Sequence, residues 1–452
     1  MKAVASGSWQ TKNAVLRLCK LQSSVSIKFR ASFDIYLPNY KNVLRARGFM
    51  NQQTNDQRAL KPYISRIRIW IHDIANRIQH IWETIKFPFI VYWVFRLYYS
   101  IIAAILTFVY HPPYEEFVSY SDPFSKYFLM NWEHWDVIWY LRIAVQGYQA
   151  SDGRSVFPPL YPYLIRALNG QSGNYLLTAM TISMLAGCCT VIMLYLITNE
   201  VVGGKSGETA ILLLLSFPTS TFFFSAYTES LFLALSLGMF ITAKNGKFGL
   251  ASALAILAIL TRYQGVILVV PLGWLIWKSV NIKKRSWSTF AYAIIPILSL
   301  LIFLWVRSKW IDPTPMEKVY EQYWKSRFVL PGESIIASIR ALPNSLNIHY
   351  FINLLDFSLL FVMILISPLV VRFLPPEYWL YQISTLFVLL IRVGPIDNPL
   401  QGMGRYMLLM FPSFMIVSRN LQWRKNRFIL ISSLLLSTWI LTMYILGTGI
   451  VS

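Results

Sequence analysis

Long apolar stretches separated by short polar ones dominate this chain. Three of them, "FPFIVYWVFRLYYSIIAAILTFVY", "YLLTAMTISMLAGCCTVIMLYLIT" and "FILISSLLLSTWILTMYILGTGIV", reach the roughly 20 residues that a helix needs to cross a bilayer. Several other apolar segments are shorter, so they would tilt little, break or thin the bilayer locally. We therefore expect an all-α, polytopic membrane bundle. The pattern predicts about eleven apolar helices, near residues 88–110, 172–198, 207–224, 229–243, 248–261, 266–280, 287–306, 353–371, 378–392, 406–418 and 428–448.

A different pattern precedes the first apolar run. In residues 63–85, "YISRIRIWIHDIANRIQHIWETI", isoleucines recur at helical spacing with charged residues between them. This predicts an interfacial amphipathic helix that leads into the first span. Residues 1–60 are polar, basic and poorly periodic. We therefore divide the chain into a basic cytoplasmic extension, 1–87, and a transmembrane domain, 88–452.

Charge in the connecting loops predicts which side of the membrane each loop faces. With the N-terminus in the cytoplasm, the inside loops are "NEVVGGKSGE", "AKNGK", "WKSVNIKKRS", "VRFLPPE" and "SRNLQWRKNR", and most of them are basic. The first fifty residues of the outside loop 111–171 contain six acidic and three basic residues. This distribution agrees with the excess of Lys and Arg on the cytoplasmic side of membrane proteins. The large polar motifs then lie on the outer or luminal face, where we expect the active site.

Composition supports the membrane class. Hydrophobic residues make up 56% of the chain and charged residues 13%, whereas soluble domains contain about 25% charged residues. Of the formal net charge of +21, much lies in residues 1–87, with fifteen Lys and Arg against four acids. Such a segment could be a nucleic-acid-binding tail, but a cytoplasmic segment close to the membrane is the simpler interpretation. The first residues lack a signal-peptide pattern, so we expect no cleaved signal.

The three cysteines indicate neither a disulfide framework nor a metal site. Cys19 is isolated, and Cys188 and Cys189 are adjacent within an apolar run. The chain also contains no Gly-rich nucleotide loop, no metal-ligand spacing and no Ser-His-Asp pattern above chance. We therefore expect no dedicated cofactor, although a divalent metal stays open, and we expect any donor substrate to be embedded in the membrane.

The acidic residue Asp136 in "NWEHWDVIWYLRIAVQGYQ" is the main catalytic candidate. An isolated carboxylate beside a membrane is usually a solvated loop charge, but aromatic residues that favour the headgroup level flank this one. The apolar and basic positions that follow helical spacing predict a short helix lying on the surface: Trp135, Ile138, Trp139, Arg142 and Ile143. A carboxylate that is partly removed from water on such a helix can act as a general base.

Three arginines, Arg96, Arg262 and Arg405, lie inside an apolar run or at the outer ends of apolar runs. Snorkelling towards the headgroups explains any one of them. The alternative is that some of them hold a lipid phosphate, because the guanidinium fork matches phosphate oxygens.

Weaker signals occur in three other outer segments. In "SAYTESLF", Tyr227 and Glu229 are candidates, although Glu229 could simply cap the next helix. Arg327 in "WKSRF" and Asp397 in "PIDNP" are equally well explained as solvated loop charges.

Together these motifs resemble the signature of the PIG-V family of GPI mannosyltransferases and their prokaryotic relatives. "HWDVIWYLRIAVQGY" followed by "VFPPLYP" is similar to the family's Trp-Asp, Ile-Ala-x-x-Gly-Tyr and Phe-Pro-x-x-Pro pattern. "SAYTESLF" resembles Tyr-Ser-Glu-Ser-Leu-Phe, and "LTRYQGVIL" resembles the Thr-Arg-x-x-Gly stretch. "WIDPTPMEKVYEQYWKSRFVLP" is similar to the family's Asp-Pro…Gln-x-x-Trp loop, and "MGRYMLLMFPSF" to its Arg-Tyr-Leu-Leu-x-x-Phe-Pro ending. The five motifs occur in the family's order across about residues 90–450.

The resemblance implies a GT-C glycosyltransferase that transfers a sugar, in eukaryotic members mannose, from a polyprenyl-phosphate donor to a lipid- or glycan-linked acceptor. It implies that Asp136 is the general base and that the anomeric carbon is inverted. Arg262, Arg405 and Arg327 become candidates for the donor phosphate, and Tyr227 and Glu229 for the pocket wall or sugar contacts. The first motif adds further substrate-binding candidates: His134, Trp135, Arg142 and Tyr148.

The chain departs from the family pattern at His134, where the family often has Arg, and in its basic extension. These departures leave the acceptor open, and with it the membrane: the plasma membrane for a prokaryotic relative, the endoplasmic reticulum for a eukaryotic one. Nucleic acid is not an expected partner. Two other classes stay as alternatives: a lipid or solute transporter or flippase, which should show repeated halves with broken helices, and a non-catalytic membrane scaffold.

Overall fold

The computed structural model describes residues 56–110, 125–170, 173–283, 286–342 and 348–448. Most of the basic extension, 1–55, and residues 111–124 of the loop that was predicted to face outwards lie outside the described residues. The chain divides into two units, one ending at Glu83 and the other beginning at Thr84. The described part of the first unit is helical, and the second unit contains all the other elements below.

The described residues are almost entirely helical. The helices are α1 (Asp56–Tyr110), α2 (Asp136–Gln146), α3 (Leu160–Asn169), α4 (Tyr175–Val201), α5 (Ser206–Leu215), α6 (Thr221–Phe224), α7 (Glu229–Lys244), α8 (Phe248–Thr261), α9 (Val269–Lys283), α10 (Ala291–Val306), α11 (Met316–Trp324), α12 (Glu333–Ala341), α13 (Ile348–Phe373), α14 (Pro376–Leu390), α15 (Met403–Met407), α16 (Phe411–Asn420) and α17 (Arg427–Ile445). Two short strands, β1 (Arg327–Phe328) and β2 (Arg392–Val393), pair antiparallel, with Phe328 opposite Arg392. This two-residue ladder was not predicted by the apolar pattern.

Six of the described helical segments are long and apolar enough to cross a membrane, which is typical of an integral membrane protein. They are Ile69–Tyr110, Tyr175–Val201, Tyr263–Val280, Trp287–Ile311, Tyr350–Phe373 and Arg427–Ile445, and each contains or overlaps one of the predicted segments.

The other five predicted segments form shorter helices, and prolines account for two of the interruptions. Residues 207–224 divide into α5 and α6 around Pro218, and residues 406–418 divide into α15 and α16, with Pro412 in the first turn of α16. Proline disfavours helical backbone in the residue before it and lacks the amide proton that a helix interior uses. The prediction of about eleven spans therefore stays a prediction.

The predicted helix over 63–85 is part of α1, which continues without a break to Tyr110. Its residues Ile71, Ile78 and Ile81 are exposed. The helical prediction is therefore confirmed, whereas its position at a membrane interface stays a prediction.

Aromatic contacts join the central helices of the second unit. Helix α7 packs against α4 and α8, and its Phe240 is fully buried. Phe240 stacks on Tyr378 of α14 and meets Phe411 of α16 edge-on. Within a bilayer such contacts stabilise helix association mainly by close packing, because lipid tails are as apolar as the side chains.

Buried hydroxyl groups join the helices where close packing leaves polar atoms. The Tyr99 hydroxyl of α1 lies 2.6 Å from Ser220 Oγ, which precedes α6, and 2.6 Å from Ser437 Oγ of α17. Each hydroxyl thereby replaces the hydrogen bonds that water would otherwise supply. The cluster fixes the segment leading into α6 and α7, on which part of the site described below is built.

The short helix predicted around Asp136 is confirmed as α2, but its buried face is not the predicted one. Trp135 precedes the helix rather than lying in it, and the fully buried residues are Val137, Leu141 and Ile143. The tryptophans were expected on that face because their positions follow helical spacing. They instead contact aromatic residues of other segments, such as Tyr444 and Phe157.

Candidate active site

Asp136 and Arg405 form the centre of the site. Asp136 is the first residue of α2, and its Oδ2 lies 2.6 Å from Nη1 of Arg405 on α15. A carboxylate in the first turn of a helix is stabilised by the helix dipole. The preceding residue, Trp135, has φ 50° and ψ −115°, a conformation that L residues rarely adopt. Such backbone costs about 1–3 kcal/mol and is commonly found at functional sites.

Glu229 joins a second arginine to the first. Its Oε1 lies 2.7 Å from Nη1 of Arg262 and 3.5 Å from Nε of Arg405, and its side chain is fully buried. Arg262 Nη1 also donates to Thr228 Oγ1 at 2.8 Å. Glu229 is therefore in the first turn of α7, as expected for a helix cap, and it also pairs with both arginines. The result is a chain of alternating charges that runs from Asp136 to Arg262.

Both arginines stay positively charged in this environment. Burial lowers the pKa of Arg405, but the carboxylates of Asp136 and Glu229 outweigh burial and raise that pKa well above its usual value. Burial also lowers the pKa of Arg262, and the charge of Glu229 outweighs it so that the pKa is raised. The site therefore holds two fixed guanidinium groups.

A cavity of 380 Å³ opens beside these charges. Its polar wall contains Asp136, Arg262, Arg327, Arg392, Gln401, Arg405 and Tyr406. Its apolar wall contains Val266, Leu300, Leu304, Val388 and Ile391. An apolar pocket with a few convergent charged groups is the usual form of a small-molecule site. This cavity combines four cationic side chains with a hydrocarbon surface.

A second cavity, also of 380 Å³, meets the first at Asp136. Trp324 and Gln401 line both cavities as well. The rest of the second cavity is lined by aromatic and polar side chains: Trp135, Trp139, Tyr323, Lys325, Asp397 and Asn398, together with Pro395. Asp136 thus faces two spaces of different chemistry.

Tyr406 contacts both fixed guanidinium groups. The Cζ atoms of Arg262 and Arg405 lie 4.9 and 5.2 Å from the centre of its ring, and Arg405 Nη2 donates to its hydroxyl at 3.4 Å. Burial raises the pKa of Tyr406, but the charges of Arg405, Arg392 and Arg262 outweigh burial and bring the pKa down to about 8. The ring lines the first cavity, so this phenol lies among the groups that a ligand would meet.

The loop that follows α2 is fixed by a buried carboxylate in the "WIDPTP" motif. Asp312 Oδ2 accepts hydrogen bonds from Ser155 Oγ at 2.8 Å and from the amide of Ser151 at 3.4 Å. Its Oδ1 accepts from the amide of Thr314 at 3.0 Å, and Arg307 lies 3.7 Å from Oδ2. Burial raises the pKa of Asp312, but these hydrogen bonds outweigh it and lower the pKa overall. Two motifs that are far apart in the sequence are thereby joined beside the cavity.

The structure brings together four of the residues that the sequence singled out. Asp136, Arg262, Arg327 and Arg405 line the first cavity. Glu229 and Tyr227 do not belong to that lining. Glu229 pairs with Arg262 without lining the cavity. The centre of the Tyr227 ring lies 5.4 Å from Cζ of Arg405. They therefore support the arginines rather than forming the wall.

His134 lies outside both cavities. Its ring packs against Trp135 and meets Tyr444 edge-on, and its carbonyl accepts from the Tyr227 hydroxyl at 3.4 Å. Burial lowers the pKa of His134 to about 4, and a backbone hydrogen bond at Ile445 only partly offsets this. His134 therefore packs beside the site and lines neither cavity, and its predicted role in substrate binding stays a prediction.

Arg142 and Tyr148 are also outside both cavities, and Arg96 makes contacts typical of a structural residue. Arg142 lies over the Trp139 ring at 5.2 Å, and the Tyr148 hydroxyl donates to the carbonyl of Phe157 at 2.7 Å. Arg96 donates to the carbonyl of Phe224 and lies 5.5 Å from the Trp132 ring centre. Arg142 and Tyr148 were predicted to bind substrate because of their place in the motif, which spacing alone could not test.

Sequence reasoning missed Arg392, Tyr320 and Asp356. Arg392 reaches the first cavity from β2, where its guanidinium lies 6.0 Å from the Tyr320 ring and donates to Ser326 at 3.0 Å. Its position just after the apolar helix α14 is the same signal that identified Arg262 and Arg405. Asp356, a carboxylate within an apolar run, was an equally visible signal. Tyr320 had no distinguishing signal.

In the described ranges, no group of three or more His, Cys, Asp or Glu side chains could hold a metal ion. No protein-family model, no curated protein and no solved structure matches this chain. A functional conclusion must therefore come from the chemistry of the two cavities and of the residues between them.

Proposed function

We propose that this chain is a GT-C-type membrane glycosyltransferase, similar to the PIG-V family, that transfers a sugar from a polyprenyl-phosphate donor to an acceptor hydroxyl. Mannose is the sugar that the resemblance suggests. The observation that carries the proposal is the position of Asp136, where a cationic, apolar cavity meets an aromatic, polar one. A transferase needs two substrates to meet at one proton-accepting group, and this arrangement suits that need.

The first cavity suits a lipid-linked phosphate. Guanidinium groups bind phosphate oxygens through paired, charge-assisted hydrogen bonds. Arg262 and Arg405 are held in place by Glu229, and Arg327 and Arg392 add charge at the other side of the cavity. The hydrocarbon wall, with Leu300 and Leu304 of α10, suits the first isoprene units.

The second cavity suits an acceptor that carries hydroxyl groups. Trp135, Trp139 and Trp324 offer flat apolar faces, and Asp397 and Asn398 offer hydrogen-bond partners. Sugar rings and polar headgroups have this combination of apolar and hydroxyl-bearing faces. The acceptor would thus reach Asp136 through a different cavity from the donor.

The proposed reaction is a single displacement. The acceptor oxygen attacks the anomeric carbon while its proton passes to the Asp136 carboxylate. The bond from that carbon to the phosphate oxygen breaks, and polyprenyl phosphate leaves with the electron pair. Arg262 and Arg405 stabilise the charge on the leaving phosphate. Because attack and departure occur on opposite faces, the configuration at the anomeric carbon is inverted.

The orientation in the membrane follows from the loop charges. We propose that the N-terminus is cytoplasmic and that the site opens on the outer or luminal face, where the acidic loop lies. The helices of 16 residues or fewer, such as α7, α8 and α14, would complete a bundle of about eleven apolar segments. Their shortness agrees with a bilayer that is thinned locally around the site.

The test is transfer by the purified full-length chain in liposomes supplied with a labelled polyprenyl-phosphate sugar and an extract of the source membrane lipids. Asp136→Asn should reduce transfer by at least about 100-fold, since general bases contribute about 10²–10⁴-fold. Glu200→Gln, at an exposed carboxylate paired with Lys244, is the matched control and should transfer normally. Transfer by Asp136→Asn at the wild-type rate would overturn the assignment.

A further inference from the structure

The backbone of Gly404, the residue directly before Arg405, is held at both its amide and its carbonyl group. Asp356 Oδ1 on α13 accepts a hydrogen bond from the amide of Gly404 at 2.7 Å. Thr219 Oγ1, between α5 and α6, donates to the carbonyl of Gly404 at 2.8 Å. Both side chains are buried, with exposures of 5% and 4%. Residue 404 is thus fixed by two groups from different parts of the chain.

The approach is so close that a side chain at position 404 would collide with Asp356. A Cβ added there would stand 2.7 Å from Asp356 Oδ1 and 3.1 Å from both Leu359 Cδ1 and Thr219 Cγ2. Real Cβ atoms essentially never stand within 3.0 Å of another heavy atom. The backbone of α15 therefore lies directly against the carboxylate, with no side chain in between.

Asp356 is an unusual choice for a purely structural anchor. It lies in a helix that is long and apolar enough to span a membrane, where an ionisable side chain is expensive and commonly functional. Its Oδ2 has no hydrogen-bond partner in the part of the chain that the structure describes. A neutral asparagine would supply the same acceptor for the Gly404 amide. Arg405, the next residue along the chain, is the cation that interacts with this carboxyl group.

Three acidic side chains of different function then act on Arg405. Asp136 lies 2.6 Å from its guanidinium and Glu229 lies 3.5 Å from it. Asp356 instead accepts a hydrogen bond from the amide of the preceding residue, Gly404. The first two contact the guanidinium itself, whereas the third contacts the backbone that carries it. The direction of the Arg405 side chain depends on that backbone.

We propose that Asp356 and Thr219 are positioning residues. They fix the amide and carbonyl groups of Gly404 and thereby orient the side chain of Arg405 towards Asp136 and the donor phosphate. This inference rests on the proposed function. It adds that the site also depends on α13, a helix long and apolar enough to span a membrane, and on Thr219 in the turn between α5 and α6. Neither Asp356 nor Thr219 contributes to the cavity walls.

The test compares isosteric pairs in liposomes, with transfer measured against donor concentration. Thr219→Val removes the hydroxyl donor and should lower kcat/KM by about 10-fold or more, whereas Thr219→Ser keeps it and should stay near wild type. Asp356→Leu should lower kcat/KM by about 100-fold, the effect of misplacing a catalytic group by about 1 Å. Asp356→Asn keeps the acceptor and should recover most of that loss.

Two controls separate positioning from general damage. Asn353, one turn earlier on α13, is equally buried and hydrogen-bonds to Ser338, so Asn353→Leu should lower thermal stability without changing kcat or KM of the folded protein. In an Arg405→Lys background, Asp356→Leu should have less than half of its effect on log kcat/KM, because residues that act through one another are not additive.

The inference is overturned if Asp356→Leu keeps kcat and KM within about threefold of wild type, or if its effect is additive with Arg405→Lys. Those results would leave the proposed function intact so long as Asp136→Asn is inactive. Full transfer by Asp136→Asn would instead overturn the proposed function itself, so the two failures are distinguishable.

Discussion

The carboxylate of Asp136 and the guanidinium of Arg405 are 269 residues apart in the chain and 2.6 Å apart in the structure. Their side chains are only 12% and 11% exposed. A buried ion pair repays the loss of hydration only when other groups satisfy the charges as well. Glu229 supplies the second partner of Arg405, and the start of α2 supplies a favourable dipole for Asp136. Replacing one member should therefore disturb the others.

Arg405→Lys should lower kcat by about 10- to 100-fold while the protein still folds. Lysine keeps the charge but offers a single point donor, which cannot contact Asp136, Glu229 and a phosphate in the fixed fork geometry of arginine. Arg419→Lys, at the far end of α16 against Phe373, is the matched control and should behave as wild type. Steady-state transfer assays in liposomes measure both. Equal activity of Arg405→Lys and wild type would show that a point charge is sufficient.

Glu229→Ala should lower the free energy of unfolding by about 3–5 kcal/mol, the usual effect of removing one partner of a buried ion pair. The side chain is fully buried and its loss would leave Arg262 and Arg405 without their shared carboxylate. Glu200→Ala removes a carboxylate from an exposed pair with Lys244 and should change stability by about 0–1 kcal/mol. Thermal unfolding in detergent compares the two variants. A similar small effect for both would mean that water reaches Glu229.

The apolar pattern predicted the fold class and the helices because both follow from local sequence. Apolar runs of sufficient length became helices whether or not they reached the length of a span, and Asp136 was predicted to lie on a short helix, as it does. The number of spans was harder to obtain. Pro218 interrupts a segment that was predicted as one apolar run, and helix length depends on such single residues.

Contacts within the site could be predicted only in part. Arg262 and Arg405 were recognisable because a charge at the end of an apolar run requires an explanation wherever it points. His134, Arg142 and Tyr148 were chosen for their neighbours in a motif, and their side chains point elsewhere. The ion pair of Asp136 with Arg405 and the hydrogen bond from the Gly404 amide to Asp356 are long-range contacts. No local pattern in the sequence encodes them.

Acid should destabilise the protein through His134. Burial lowers the pKa of His134 to about 4, so the unfolded chain binds a proton at higher pH than the folded one does. Stability is therefore complete above the unfolded pKa of about 6.5 and is lost as the pH falls from there towards 4. His134→Phe removes the group, and the melting temperature of this variant should fall less than that of wild type between pH 7 and pH 5. Equal loss in both proteins would place the acid-sensitive group elsewhere.

Donor binding should weaken above pH 8 because of Tyr406. Burial raises its pKa, but Arg405, Arg392 and Arg262 outweigh burial and bring the pKa to about 8, whereas burial keeps the pKa of the neighbouring Tyr320 at about 12. Above pH 8 the ligand-free site therefore contains a phenolate that neutralises part of the arginine charge. A donor phosphate must then bind either with uptake of a proton by Tyr406 or to a site with less positive charge. In both cases binding weakens as the pH rises. KM for the donor should therefore rise by up to about 10-fold per pH unit between pH 8 and pH 10.

The same linkage has the opposite effect on folding. A phenol whose pKa is lowered from 10 to about 8 stabilises the folded protein increasingly as the pH rises from 8 to 10, and this gain is lost as the pH falls through 8. Tyr406→Phe should therefore show a donor KM that is flat to pH 10, together with a smaller rise in melting temperature across that range. The tyrosinate difference spectrum of wild type minus Tyr406→Phe, recorded without donor, should titrate near pH 8 and shift upwards when polyprenyl phosphate is added. A spectrum that titrates near pH 10 in both conditions would show that the three arginines do not act on this hydroxyl.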